Sequence, residues 1–351
     1  MKVPARVWAG FALLALALLA LPFALSYVGT AWVRIANFAM LYILLALGLN
    51  IVVGFAGLLD LGYIAFYAVG AYVYALLASP HFNIHLPFWA ILPVGAALAA
   101  LFGILLGTPT LKLRGDYLAI VTLGFGEIIR IVLNNLSRPV NVTNGPQGIS
   151  RIDPFSLGPI RFSTTDTVAG MQVSGPMKYY YLLLLVALAV VFVNIRLQNS
   201  RIGRAWEAIR EDELAARASG INTARLKLLA FAMGASFGGI AGGMFSAIQG
   251  FISPESFVLV ESIMVVSMVV LGGMGNIWGV IVGALLLSFV PEVLRWTVEP
   301  AQRMVFGRQL IDPEVIRMLI FGFALILVML FRPAGLLPSA VRKRELAARS
   351  A

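Results

Sequence analysis

Apolar runs of membrane length alternate with short polar joints along almost the whole chain. Val7–Val28, Ala36–Val53, Tyr63–Ala78, Pro87–Gly107 and Tyr117–Asn134 come first, followed by Tyr179–Ile195, Leu226–Ile248 and, last, Pro313–Phe331. About 20 predominantly apolar residues in a helix cross the hydrocarbon of a bilayer, so each run is read as a transmembrane helix. Val7–Val28 competes with a signal peptide, but it is long for that role and no A-x-A site follows it, so it is read as a retained first span. Residues 254–296 allow either one long span or two, Pro254–Leu271 and Ile277–Trp296, joined at Gly272-Gly273-Met274-Gly275-Asn276, where glycine and asparagine favour a turn. The connection over 135–178 is rich in Gly, Pro, Asn, Ser and Thr and belongs outside the hydrocarbon.

The pattern changes completely at Ser200–Lys227, SRIGRAWEAIREDELAARASGINTARLK. Charge of both signs crowds into this one segment, within the connection 196–225. Gly and Pro are absent from Arg204 to Ser219, while Ala, Glu, Arg and Leu dominate, which predicts one solvated helix of about four turns. Glu207 can reach Arg210 at i+3, and Glu213 can reach Arg217 at i+4. Gly220 and Asn222 supply the stop. The segment is either a connector that orients two spans or a docking helix for a cytoplasmic partner; the density of charges of both signs favours docking. Glu207, Arg210, Glu211, Asp212 and Glu213 are its candidate contacts. Ala216 is small enough for its neighbourhood to lie flush against a partner groove, and Gly220 turns the chain back to the membrane.

Composition agrees with a polytopic membrane protein. The chain of 351 residues is 60% hydrophobic and 12% charged, with a mean hydropathy of +0.92; soluble domains carry about 25% charged residues. The net charge of +10 does not point to nucleic acid, because the bases lie mostly in connections and in the tail 332–351, where orientation and anionic lipid headgroups explain them. Parity uses the same bases. With the N-terminus inside and the 272–276 turn counted, there are ten spans and both termini are inside, with eight or nine spans the alternatives. Sixteen Lys and Arg then lie inside, nine outside and Arg130 within a span. One span fewer would put the basic tail outside, against the positive-inside rule.

Chemistry is sparse. Without cysteine there is no disulfide, thiol catalysis or Cys-ligated metal, and His81 and His85 alone make no metal site. There is no Walker lysine motif, no Ser-His-Asp arrangement and no HExxH, so energy must come from another protein or an ion gradient. Glu127 lies about ten residues from either end of its span and is the most costly residue in the chain unless paired; Arg130, one turn on, is its natural partner. The pair is either structural or a polar contact for a zwitterionic substrate in a translocation pathway. Asn50 and Asn134 are further pathway candidates, although hydrogen bonds between helices are the favoured reading of both. Asp60 is positioned to cap the third span. Glu261 is read as facing protein or water. The glycines Gly234, Gly238, Gly239, Gly242 and Gly243 read as helix-packing positions, and the row Tyr63, Tyr67, Tyr72 and Tyr74 as an interface belt or packing.

Four segments in order carry a resemblance: GLNIVVGFAGLLDLGYIAFYAVGAY (48–72), LRGDYLAIVTLGFGEIIRIVLNN followed by TNGPQGI (143–149), the charged segment running into LLAF, and VLGGMGNIWGVIVGALLL (270–287). Together they resemble the permease subunits of bacterial branched-chain amino-acid ABC importers, in particular the M-type of the two Liv permeases. The resemblance implies an all-α fold similar to the ten-helix importer permeases, a single domain over 1–351 in the cell inner membrane, and a cytoplasmic coupling helix. It also implies partners: a second, H-type permease, two cytoplasmic ATPases and a periplasmic binding protein. The function implied is inward movement of Leu, Ile or Val without covalent chemistry or a cofactor. The coupling loop departs from the general importer pattern E-A-A-x-x-x-G: Ala215, Ala216 and Gly220 fit, but Leu214 stands where the acid belongs, Glu213 precedes it, and the closing Leu-Pro is absent. A permease for urea or short amides is the rival within this class. A secondary transporter is the rival outside it; such a protein needs no docking helix and shows paired broken helices in corresponding halves.

Overall fold

A computed structural model describes residues 5–306 except 114, 159, 169 and 170, together with positions 315, 319, 322, 323, 326, 330–332 and 335–338. The final span expected over Pro313–Phe331 and the basic tail fall largely outside the described residues.

Eleven helices are described. α1 (Ala5–Val28) and α2 (Thr30–Asn50) are followed by a π-helical turn at Ile51–Phe55, then α3 (Ile64–Leu77), α4 (Phe88–Thr110), α5 (Asp116–Asn135) and α6 (Gly175–Gln198). α7 (Arg201–Glu211) and α8 (Glu213–Ala218) form the charged loop, which leads into α9 (Thr223–Gln249), α10 (Leu259–Gly272) and α11 (Ile277–Phe306). Among the described residues, five segments are by length and composition able to cross a membrane: Thr30–Phe55, Phe88–Thr110, Gly175–Gln198, Thr223–Gln249 and Pro254–Gly272. The 254–296 ambiguity resolves as two helices, because Gly273 and Gly275 adopt φ +120° and +81°, conformations that a continuing helix excludes.

α9 is the centre of the bundle, packed by α2, α3 and α4. Its glycines are packing positions, as expected. A β-carbon on Gly242 would stand 2.0 Å from the Tyr67 carbonyl oxygen, so α3 and α9 touch backbone to backbone. The tyrosine row is interior packing. Tyr63 and Tyr67 are buried, Tyr63 Oη donates to the Gly234 carbonyl at 2.8 Å, and the Tyr67 ring meets Phe245 at a tilt and Phe257 edge-to-face. Glu261 faces protein, accepting from Tyr42 Oη at 3.0 Å.

The connection 135–178 holds short antiparallel strands, β1 (Ile149–Ser150), β2 (Ser156–Leu157), β3 (Ile160–Arg161), β4 (Asp166–Val168) and β5 (Met171–Val173). β1 pairs with β6 (Phe251–Ile252), just beyond α9, and so fastens the connection over that end of the bundle. Lys178, at the start of α6, is buried and donates Nζ to the Arg161 and Thr164 carbonyls and to Asp166 Oδ2 at 2.6–2.8 Å. That hydrogen bond holds the Asp166 carboxyl below the usual carboxylate range.

α6 and α9 run between this connection and the charged loop, which therefore lie at opposite ends of the bundle. The hairpin between α10 and α11 is at the charged-loop end, where Gln198 Nε2 donates to the Gly275 carbonyl. Leu336 and Leu337 return there too, their amides donating to Leu271 and Gly272 carbonyls at 2.8 and 3.0 Å.

Candidate functional site

The charged segment folds as two helices, not the single four-turn helix its composition predicts. Ser200 caps α7, accepting from the Gly203 amide at 3.1 Å. Gly203, Trp206 and Ile209, three apart, form the buried face; Trp206 is fully buried and donates Nε1 to the Leu226 carbonyl at 2.7 Å. The helix breaks at Asp212, which takes φ −152°, ψ 108°, and its Oδ1 accepts from the Leu214 and Ala215 amides at 2.8 and 3.1 Å. An aspartate that can cap a new helix competes with continuation of the old one. α8 then ends as a Schellman motif: Gly220 at φ +84° donates to Arg217, and Ile221 to Ala216.

This arrangement redistributes the expected contacts. Glu207, Glu211 and Asp212 are exposed, with Asp212 committed to its cap. Glu213 is turned inward, its side chain 15% exposed, between Lys227 at 2.8 Å and Arg217 at 3.1 Å. Ala216 is buried at 4% exposure against its own chain, so it offers a partner no flush surface. Arg210 also turns inward, donating Nη1 to the Gly54 carbonyl in the π turn, with its aliphatic stem over Gly57. Leu214, where the general importer pattern has its acid, is 63% exposed.

Beyond the π turn the chain does not leave the bundle as a joint between two spans. Residues 57–62 run without helix back into the bundle, to α3, whose 14 residues span only about 21 Å, less than a bilayer. Non-helical backbone at this depth persists only where its polar groups are satisfied by protein. Leu61 shows how: its amide donates to Thr122 Oγ1 of α5 at 3.0 Å, and its carbonyl accepts from Ser262 Oγ of α10 at 2.6 Å. Gly62 lies against the α5 backbone, where a β-carbon would meet the Thr122 carbonyl oxygen at 1.9 Å. Asp60 is fully buried and accepts from the Gly62 amide at 2.9 Å, so it shapes this turn and does not cap α3, whose first turn has no side-chain cap.

A cavity of about 130 Å³ lies beside this break, walled by Leu61, Ile64, Leu123, Phe257 and Leu259, with Glu127 at its edge. Glu127 and Arg130 pair as expected, Arg130 donating Nε to both carboxylate oxygens at 3.1 Å and Nη2 to Oε1. The carboxylate is not buried as expected: the side chains of Glu127 and Arg130 are 40% and 29% exposed, on the outer face of α5. That face also carries exposed Tyr117, Ile120, Ile128 and Ile131. The other two pathway candidates do not join them. Asn50 is fully buried at the charged-loop end, its Oδ1 accepting from the Gly275 amide at 2.9 Å, and so ties the π turn to the α10–α11 hairpin. Asn134 is half-buried at the far end of α5. The unwound segment and its cavity were missed from the sequence; Gly54, Gly57 and Gly62 around Asp60 were the available signal.

The family model for the permease component of branched-chain amino acid transport systems matches residues 31–330. The chain is 47% identical over 340 residues to the high-affinity branched-chain amino acid transport system permease protein LivM of Escherichia coli K12, covering 93% of this chain and 74% of that protein. It is 27% identical over 259 residues to the probable LivM permease of Methanocaldococcus jannaschii, covering 71% and 68%. To the LivH permease of Salmonella typhimurium it is 25% identical over 258 residues, covering 72% and 81%. No solved structure matches the chain.

Proposed function

This chain belongs to the family of branched-chain amino acid transport system permease components, and from that premise we propose how it works in an importer. It moves Leu, Ile or Val inward as one of two permeases, beside an H-type partner, with two cytoplasmic ATPases below and a periplasmic binding protein above. It is a ten-span inner-membrane subunit with both termini cytoplasmic, and it does no covalent chemistry on its substrate. The family match favours this reading over the urea or amide importer and the secondary transporter.

The observation that carries the coupling role is the seating of the charged loop. Its buried face is anchored on α9 through Trp206 and Lys227, and Arg210 reaches the carbonyl of the broken helix. Glu207, Glu211 and Leu214 are left on the outer surface. A loop fixed in this way transmits displacement, whereas a flexible connector absorbs it. An ATPase surface with a basic side chain and an apolar recess fits these groups, each charge-assisted bond contributing about 1.5–3 kcal/mol when well made. The second permease is assigned to the outer face of α5, because a charged pair flanked by apolar residues is costly against lipid and tolerable against protein or a water-filled path.

The test is reconstitution with the partner subunits in lipid vesicles. Glu207→Lys with Glu211→Lys should leave the subunit inserted and abolish the stimulation of ATP hydrolysis by loaded binding protein. Full stimulation and uptake in that variant would return the loop to the role of a connector.

A further inference from the structure

The cavity beside the helix break joins three features that the transport role alone does not require to coincide. Its walls, Leu61, Ile64, Leu123, Phe257 and Leu259, are aliphatic or aromatic. Glu127 is a further lining residue, and its carboxylate is bonded by the Arg130 guanidinium. Two of its walls, Leu61 and Ile64, bracket the point where unwound backbone becomes α3. We propose that this cavity is a substrate subsite within the permease: the aliphatic side chain of a branched-chain amino acid enters the apolar pocket, its ammonium is taken by Glu127 and its carboxylate by Arg130. The inference deepens the importer reading and rests on it.

Size and charge both fit. An apolar cavity of about 150 Å³ takes up a molecule the size of benzene, so about 130 Å³ accommodates a four-carbon side chain and excludes a much larger one. A zwitterion inserted into the Glu127–Arg130 pair replaces each charge's partner with one of the same sign, and the site stays neutral throughout. Because the two side chains already satisfy each other in the empty site, the substrate gains little by staying. A translocation site needs that balance, favourable enough to enter and weak enough to leave. The break supplies mobility of the walls: the Leu61 peptide is held by one hydroxyl from α5 and one from α10. Discontinuous helices build the substrate sites of many transporters for this reason.

The test uses the complete complex in vesicles, fed by its binding protein loaded with leucine or valine. Leu123→Phe narrows the pocket and Leu259→Ala widens it. One methylene in an apolar pocket discriminates about tenfold or more, so the leucine-to-valine uptake ratio should fall about tenfold in the first and rise in the second. Glu127→Gln should slow both amino acids alike and leave the ratio unchanged. An unmoved ratio in either assembled pocket variant overturns the subsite. The wild-type complex supplies a second readout: a photoactivatable leucine analogue delivered by the binding protein should label Leu61–Ile64 or Leu123–Glu127, and labelling confined to other segments overturns the proposal. If the wild-type complex takes up neither amino acid, the importer reading fails instead.

Discussion

Arg210→Met tests the mechanical link between the charged loop and the bundle. The wild-type guanidinium donates to the Gly54 carbonyl while its stem covers Gly57. Methionine retains an unbranched apolar stem over Gly57 and removes the donor. A hydrogen bond from a charged group contributes about 1.5–3 kcal/mol. The carbonyl it leaves is buried in the π turn. If half of that energy distinguishes the two transport states, coupling falls about three- to tenfold, since 1.4 kcal/mol is a factor of ten. The loop itself should stay seated, because Gly203, Trp206 and Ile209 remain buried. The assay is the ratio of ATP hydrolysis with and without loaded binding protein in reconstituted complexes. The expected result is a ratio reduced by that factor with normal assembly, partly restored in Arg210→Lys. An unchanged ratio in an assembled Arg210→Met complex refutes the link.

Three further outcomes are expected. Gly242→Leu forces a side chain into the Tyr67 and Ala71 backbone of α3, 2.0 and 2.7 Å from a β-carbon; overpacking of this kind costs about 1–3 kcal/mol or more, and it should lower the detergent-solubilised melting temperature, whereas Gly124→Leu, with open space around it, should not. The Asp166–Lys178 bond depresses the aspartate's folded pKa, so its contribution is fully present above the unfolded value of about 3.9 and is lost as pH falls through the folded value; hydrogen exchange over 160–175 should therefore rise in Asp166→Asn at pH 7, and an identical exchange profile would show that the bond orders nothing. Reporter fusions at residue 351 and within 140–170 should report opposite sides of the membrane, and the same side for both would overturn the ten-span topology.

The long helices were legible because nothing in the sequence competes with them: α4, α6 and α9 each hold a long apolar stretch, with charged residues confined to the ends of α6 and α9. The hairpin at 273–276 was legible only as one of two readings, and the positive φ of Gly273 and Gly275 decides between them. Gly220 ends α8 at a positive φ as well. What could not be read depends on tertiary partners. The segment around Asp60 is as apolar as a span, and whether it lies outside or within the bundle is decided by Thr122 and Ser262, far away in sequence. The break at Asp212 is hidden by good helix formers on both sides, and only the cap it makes distinguishes one helix from two. Ala216 looked like a contact because it is small; it is small because α8 folds back on its own chain. The exposure of Glu127 reflects its place on α5, whose outer face the rest of the bundle leaves open.

On the proposed coupling role, the break is the route by which a displacement at the loop reaches the cavity. Gly54, gripped by Arg210, and Leu61, at the cavity wall, are seven residues apart. In a helix that separation is about 10 Å and each peptide is locked to the fourth before it; in an extended run it approaches about 24 Å, and peptides are held only where a partner reaches them. Between these two points the main-chain bonds give way to isolated contacts, from Asp60, Thr122 and Ser262. α3 and α9, by contrast, are locked together by glycine contacts that leave no slack. A shift of the charged loop therefore meets stiff resistance along α9 and weak resistance along the unwound segment. In the proposed importer, ATP-driven motion reaches the pocket by the second route, and the Leu61 wall is the first element of the membrane domain to respond.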